Sequence, residues 1–123
     1  MAYQKFDPSE SLEEKTYNAV EKADDSGKVV IGTNEVTKAL ERNEAQLVVI
    51  ASDVSPEEIV MHIPALAEER DVPYTFVTEK EELGLAAGIN VQAAAVAITS
   101  VGNAEDEIQD IKLKSQELLD KDE

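Results

Sequence analysis

The chain has 123 residues, with 27 Asp and Glu against 11 Lys and Arg (net charge −16) and no cysteine; this leaves room for one core in a single domain, 1–123, and excludes disulfides and thiolate metal sites. The start, MAYQKFDPSE, has no basic residues followed by an apolar run, so no secretory signal is expected and a reduced, cytoplasmic location is the simplest reading. The acids are spread along the chain, lysines are scarce and the apolar residues are largely Ala and Val, which favours adaptation to molar salt over a merely solubilising surface, so net charge says little about partners.

In chain order, Ser11 with Glu14 reads as a capping box opening a helix in which Leu12, Tyr17, Ala19, Val20 and Ala23 fall at helical spacing, stopped by Asp25-Ser26-Gly27. KVVI (28–31) is a β-branched run ended by Gly32, and Thr33 can cap a second helix through Val36 and Leu40 to Asn43. AQLVVIA (45–51) has the length and continuous apolarity of a buried central strand. Ser55-Pro56-Glu57-Glu58 combines an N-cap, a proline in the first helical position and a Glu three residues after the cap, predicting a helix to about Arg70. VPYTFV (72–77) reads as the next strand, Thr78 with Glu81 as another capping box, and EKEELGLAAG (79–88) as a short helix closed near Gly88. The loop GINVQA leads to the strand AAVAIT (94–99). The last helix is NAEDEIQDIKLKSQELLDK, with Ile108, Ile111, Leu113, Leu118 and Leu119 as core positions.

Leu83 to Gly102 carries no charge, but Gly84, Gly88 and Asn90 break it into helix end, loop and strand, so it is read as soluble core rather than a membrane span. Strands alternating with helices imply an α/β protein: a three-layer α/β/α sandwich around a mixed sheet of four to five strands.

Signals for catalysis are poor. His62 is the only histidine; placed on a helix beside apolar neighbours and without a visible partner, it reads as structural. Carboxylates are too abundant for any pair to carry weight as a dyad, and the acidic runs lack the spacing and glycine of a calcium loop. GKVVIG does not fit a phosphate loop, nor GLAAGIN a dinucleotide turn. No catalytic residue, metal site or cofactor is therefore expected. The α/β alternation alone keeps a small nucleotide-binding enzyme open as an alternative, and fold is a poor warrant for function.

One region stands out electrostatically. Lys28 to Arg42 carries three bases against two acids, a net of +1, whereas residues 53 to 71 carry six acids and one base. Thr33, Asn34 and Glu35 fall in a first helical turn, where free N–H groups and the helix dipole favour phosphate, and Lys38 lies one turn on along the same face. The plain account is that Thr33 caps, Glu35 complements the dipole and Lys38 is solvated. Against it stands the uncharged loop Gly88-Ile89-Asn90-Val91-Gln92, whose backbone groups and apolar side chains suit packing on a splayed nucleotide.

IGTNEVTKALER (31–42), LVVIASDVSPEEIVMHIPALAEERDVPYTFV (47–77) and EKEELGLAAGINVQAAAVAI (79–98) together closely resemble the archaeal kink-turn-binding ribosomal protein family, the L-seven-Ae family, in a salt-adapted haloarchaeal form. The resemblance spans roughly residues 10 to 119. Its most specific combination is Gly-x-Asn-Glu-x-x-Lys followed by the VPY strand and Leu-Gly-x-Ala-x-Gly. It implies an α/β/α sandwich that binds kink-turn RNA, an internal loop with tandem sheared G·A pairs that bends the helix sharply.

By that resemblance Asn34, Glu35 and Lys38 read the guanines, while Gly32 and Thr33 let the backbone approach; Arg42, farther along the helix, is counted among the RNA-binding residues. Ile59 and the Ile89, Asn90, Val91, Gln92, Ala93 loop pack around an extruded nucleotide, and Lys80 contacts the RNA backbone. The resemblance further implies ribosomal RNA, ribosomal proteins and guide-particle proteins as partners. It implies roles in box C/D and H/ACA guide particles and in RNase P, no membrane, and a monomer outside the particle. A protein-interaction or regulatory domain that kept the fold without RNA binding is the other alternative.

The pattern departs from the family at Val30 and Ile31, where basic residues are frequent, at Val91 in place of an arginine, and at Ala67 in place of a cysteine. Phosphate attraction should be correspondingly weak. Near 1 M salt the Debye length is only about 3 Å, so base contacts and shape must supply most of the affinity.

Overall fold

The computed structural model describes residues 3–121. Its elements alternate as α1 (Glu10–Ser26), β1 (Lys28–Ile31), α2 (Thr33–Glu41), β2 (Leu47–Ala51), α3 (Ile63–Glu69), β3 (Tyr74–Val77), α4 (Lys80–Ala86), β4 (Ala95–Ser100) and α5 (Glu105–Lys121), with short 3₁₀ turns at Glu57–Ile59 and Gly102–Ala104. The four strands form one sheet in the order β1-β4-β2-β3, so the sheet is mixed and at the lower end of the expected strand count. β4 is antiparallel to both neighbours and β2 is parallel to β3. Three strands therefore point one way and β4 points back.

β2 is buried at every residue, as a continuous apolar run covered on both faces must be. β1, at the edge, is only half-buried along Val29, Val30 and Ile31. α1, α4 and α5 pack together on one side of the sheet, and α2 packs with α3 on the other, giving the three layers. Four of the five aromatic residues gather at the far edge: Phe6 meets Phe76 edge-on at 5.1 Å, Tyr74 meets Phe76 at 5.8 Å, and Tyr3 lies 6.4 Å from Phe76. These rings seat the N-terminal segment on β3, and the Tyr3 hydroxyl donates to the Ala51 carbonyl (2.7 Å).

Several expected helix starts lie elsewhere. The cap of α1 is Ser9, whose hydroxyl accepts from Leu12 N–H (3.1 Å), not Ser11 with Glu14. The helix expected from Ser55 to Arg70 is broken, and its cause is Pro64. In a continuous helix Pro64 would offer no N–H to Val60 and would press its ring on that carbonyl. Instead the chain makes one 3₁₀ turn (Glu57–Ile59) and restarts at Ile63, so Pro64 sits in a first turn, where a missing N–H costs nothing. His62 consequently precedes α3 rather than riding within a helix.

Thr78 does not cap α4. Its N–H and hydroxyl both donate to Glu13 Oε1 (2.6 Å each), while the first turn of α4 is held from outside by Asp53, whose Oδ1 accepts from Lys80 N–H (2.9 Å). In α5, Ile108, Ile111 and Ser115 face the core, and Leu113, two residues past Ile111 and so near the opposite side, is 64 % exposed. Ser115 satisfies its hydroxyl locally on the Lys112 carbonyl (3.2 Å). Ion pairs Lys15–Asp110 and Lys22–Glu107 tie α1 to α5 at the surface, where such pairs add little.

Candidate nucleic-acid interface

Strand polarity decides where the candidate residues meet. β1, β2 and β3 end, and β4 begins, at one rim of the sheet. The Gly32–Lys38 segment leaves β1 there, residues 52–59 leave β2, Thr78–Lys80 leave β3, and the 89–93 loop enters β4. Backbone hydrogen bonds stitch these exits together: Gly32 N–H to the Ala95 carbonyl (2.9 Å), Ala51 N–H to Ala94 (2.9 Å), Ser52 N–H to Val77 (2.8 Å) and Ala93 N–H to Lys80 (3.0 Å).

At the start of α2, Gly32 occupies the cap position with φ 99, a conformation that glycine alone adopts without strain, and a Cβ built there would meet no atom within 4 Å. The space in front of it is open. Thr33 is thus the first helical residue and not the cap; it makes no capping bond. The first backbone bond of the turn is Val36 N–H to Gly32 (2.9 Å), so among the described residues the amides of Thr33, Asn34 and Glu35 are left with no acceptor. Three donors and the positive end of the dipole face that open space.

The Asn34 and Glu35 side chains are exposed. Lys38 Nζ rests 3.4 Å from Glu35 Oε1 with both side chains more than half exposed, a contact that a ligand can displace at little cost. Ile31, Gly32, Thr33, Asn34, Glu35, Ile59 and His62 line an open concavity of about 660 Å³. Ile59, 42 % exposed, contributes a large apolar surface beside the polar side chains of Asn34 and Glu35.

Of the other predicted residues, Lys80 and the 89–93 loop share the rim without lining the concavity. In the 89–93 loop Asn90, Val91 and Gln92 are exposed and Ile89 is half-buried, but Ala93 is buried in the core, so its side chain is not available to RNA. The loop is held by close backbone approach: a Cβ on Gly84 of α4 would fall 1.9 Å from the Val91 carbonyl oxygen. This packing leaves the Val91 side chain 66 % exposed. Lys80 sits on the same rim, its backbone N–H held by Asp53. Arg42 does not join: it caps the far end of α2, eight residues and so roughly 12 Å along the axis from Asn34.

Sequence reasoning missed three residues of this rim. His62 lines the concavity and its Nε2 lies 2.9 Å from Thr37 Oγ1 on α2. Asp53 anchors the start of α4. For Thr37 and Asp53 no local signal exists, because their partners are 25 and 27 residues away. For His62 the available signal was Pro64, which argues against the helix on which His62 was placed.

Residues 14–108 match the family model described as ribosomal protein L7Ae/L30e/S12e/Gadd45. The chain belongs to this family. The matched span contains every segment of the rim. The chain is 49% identical over 116 residues to the large ribosomal subunit protein eL8 of Halobacterium salinarum, covering 94% of this chain and 97% of that protein. Among solved structures it is similar to the 15.5kD RNA binding protein of Giardia lamblia, with a TM-score of 0.85 and 32% identity over 90% of this chain and 92% of that one. The fold is thus shared with a protein described as RNA binding.

Proposed function

We propose that the chain is a non-enzymatic constituent of the large ribosomal subunit that recognises and stabilises kink-turn RNA through tandem sheared G·A pairs. The start of α2 carries this reading. Free amides at Thr33, Asn34 and Glu35, an exposed carboxylate and amide, and a strain-free glycine approach converge on one open concavity. A carboxylate only accepts hydrogen bonds, so at an RNA surface Glu35 is repelled by phosphate and must meet base donors, such as guanine imino and amino groups left exposed in a sheared pair. Asn34 both donates and accepts, and Lys38, freed from Glu35, donates to a base acceptor or a phosphate.

Ile59 and the Ile89–Gln92 stretch offer apolar surface to an extruded nucleotide, and Lys80 serves the RNA backbone. Similarity to a haloarchaeal eL8 supports ribosomal RNA as the principal partner and, with it, a cytoplasmic location. The same recognition would serve the kink-turns of box C/D and H/ACA guide RNAs and of RNase P RNA, with ribosomal or guide-particle proteins as neighbours and a monomer outside the particle.

The test is a gel shift in molar KCl with an intact kink-turn RNA and one whose sheared pairs are deleted. Preference for the intact RNA is expected, with Asn34→Ala and Glu35→Ala each costing about 1–3 kcal/mol of binding, the size of a good base-edge contact. Equal binding to both RNAs would refute base readout.

A further inference from the structure

We infer that His62 is a positioning residue of the RNA site, holding the guanine-reading turn of α2 and the apolar Ile59 platform at one separation; the inference rests on the kink-turn reading above. The exposed ring of His62 shares the wall of the concavity with Asn34, Glu35 and Ile59. Its Nε2 is 2.9 Å from Thr37 Oγ1. Thr37 already gives its single hydroxyl proton to the Thr33 carbonyl (2.8 Å), the back-bond of a helical threonine. The hydroxyl oxygen can then only accept, so the imidazole must carry its hydrogen on Nε2.

A relay results: His62 Nε2–H to Thr37 Oγ1, and Thr37 Oγ1–H to the carbonyl of Thr33, the residue before Asn34. It starts three positions after Ile59. The segment carrying Ile59 is one 3₁₀ turn without a side-chain cap, anchored to the core by buried Val60 while Ile59 itself stays 42 % exposed. A tether from its C-terminal end to the first turn of α2 orders it before RNA arrives, which removes part of the ordering cost of binding. The tether also sets the register between two contacts that one RNA must satisfy together, and a site whose supports are loose by about 1 Å loses that simultaneity.

The test uses the full chain in molar KCl, with dissociation constants measured by fluorescence anisotropy for an intact kink-turn RNA and for the same RNA carrying an abasic residue at the extruded position. His62→Ala and Thr37→Val should each weaken binding to the intact RNA roughly five- to tenfold, the size of the ordering cost of one side chain. On the abasic RNA, which has no base for Ile59 to meet, the loss should shrink to less than about twofold. The double variant should lose no more than the weaker-binding single variant, because both break one relay. His62→Gln, whose amide N–H can still reach Thr37, should restore most of the affinity.

Wild-type affinity in His62→Ala, equal losses on both RNAs, or losses that multiply in the double variant would each overturn the inference. The thermal midpoints of the single variants should stay near wild type, since the His62 side chain is exposed. If the unaltered chain does not distinguish intact from sheared-pair-deleted RNA, the kink-turn reading itself fails, and this inference falls with it.

Discussion

Gly84→Ala places a methyl group where the 89–93 loop now lies. The new Cβ would stand 1.9 Å from the Val91 carbonyl oxygen, 3.0 Å from its carbon and 3.3 Å from Ala93 N. The loop would have to withdraw by roughly 1.5 Å to reach ordinary contact. Helix propensity alone would reward the change by about 0.5–1 kcal/mol, but overpacking against backbone costs about 1–3 kcal/mol, so a net destabilisation of about 1–2 kcal/mol is expected.

The loss in RNA affinity should be comparable or larger if, as proposed above, the loop packs on the extruded nucleotide, since it is stitched to Lys80 through Ala93. Burying one aliphatic side chain such as Val91 against a base is worth about 1.5–3 kcal/mol, and losing most of it weakens binding about tenfold or more. Urea unfolding and anisotropy titration of the same preparation, both in molar KCl, give the two numbers. Wild-type affinity in a folded Gly84→Ala protein would refute the claim that this loop's seat on α4 is part of the RNA site.

Three further outcomes are expected. Ile111→Ala should cost about 2–5 kcal/mol in denaturant unfolding and Leu113→Ala within about 0.5 kcal/mol, the reverse order being incompatible with the helical phase of α5. Stability should fall in alkali: burial first, then the carboxylate that accepts the Tyr74 hydroxyl (Glu68 Oε2, 2.5 Å), holds Tyr74 above its ordinary value of 10.0, and burial and Glu13 raise Tyr17 likewise. Neutral tyrosine is thus favoured by folding, so this contribution is complete below pH 10 and is lost above it at about 1.4 kcal/mol per pH unit for each tyrosine; Tyr74→Phe should flatten the fall in urea midpoint between pH 9 and 11, and an unchanged slope would contradict the assignment. Finally, with Lys38 and Lys80 as the bases on the rim, a plot of log affinity against log KCl should indicate about two neutralised phosphates, and a slope implying six or more would overturn the dominance of base contacts.

The order and type of the strands and of most helices could be read from the residues alone, because their signals are local. The continuous apolar run of β2, the β-branched β1 ended by Gly32, and the 3.6-residue spacing in α1 are properties of neighbouring residues. The residues at the start of α2 were legible for the same reason, since a first turn and its dipole depend on a few consecutive positions. Helix starts were less legible. The expected caps at Ser11 and Thr33 lost to nearby competitors, Ser9 and Gly32, while Thr78 was drawn to a carboxylate 65 residues away, a partner to which local propensity is blind.

That four segments separated by up to about sixty residues share one rim follows from strand order and direction, which local patterns do not carry. The tertiary structure also separated Arg42 from the site, buried Ala93, turned Leu113 outward and brought His62 in. Each of these depends on what lies across a packing interface, which no run of consecutive residues contains.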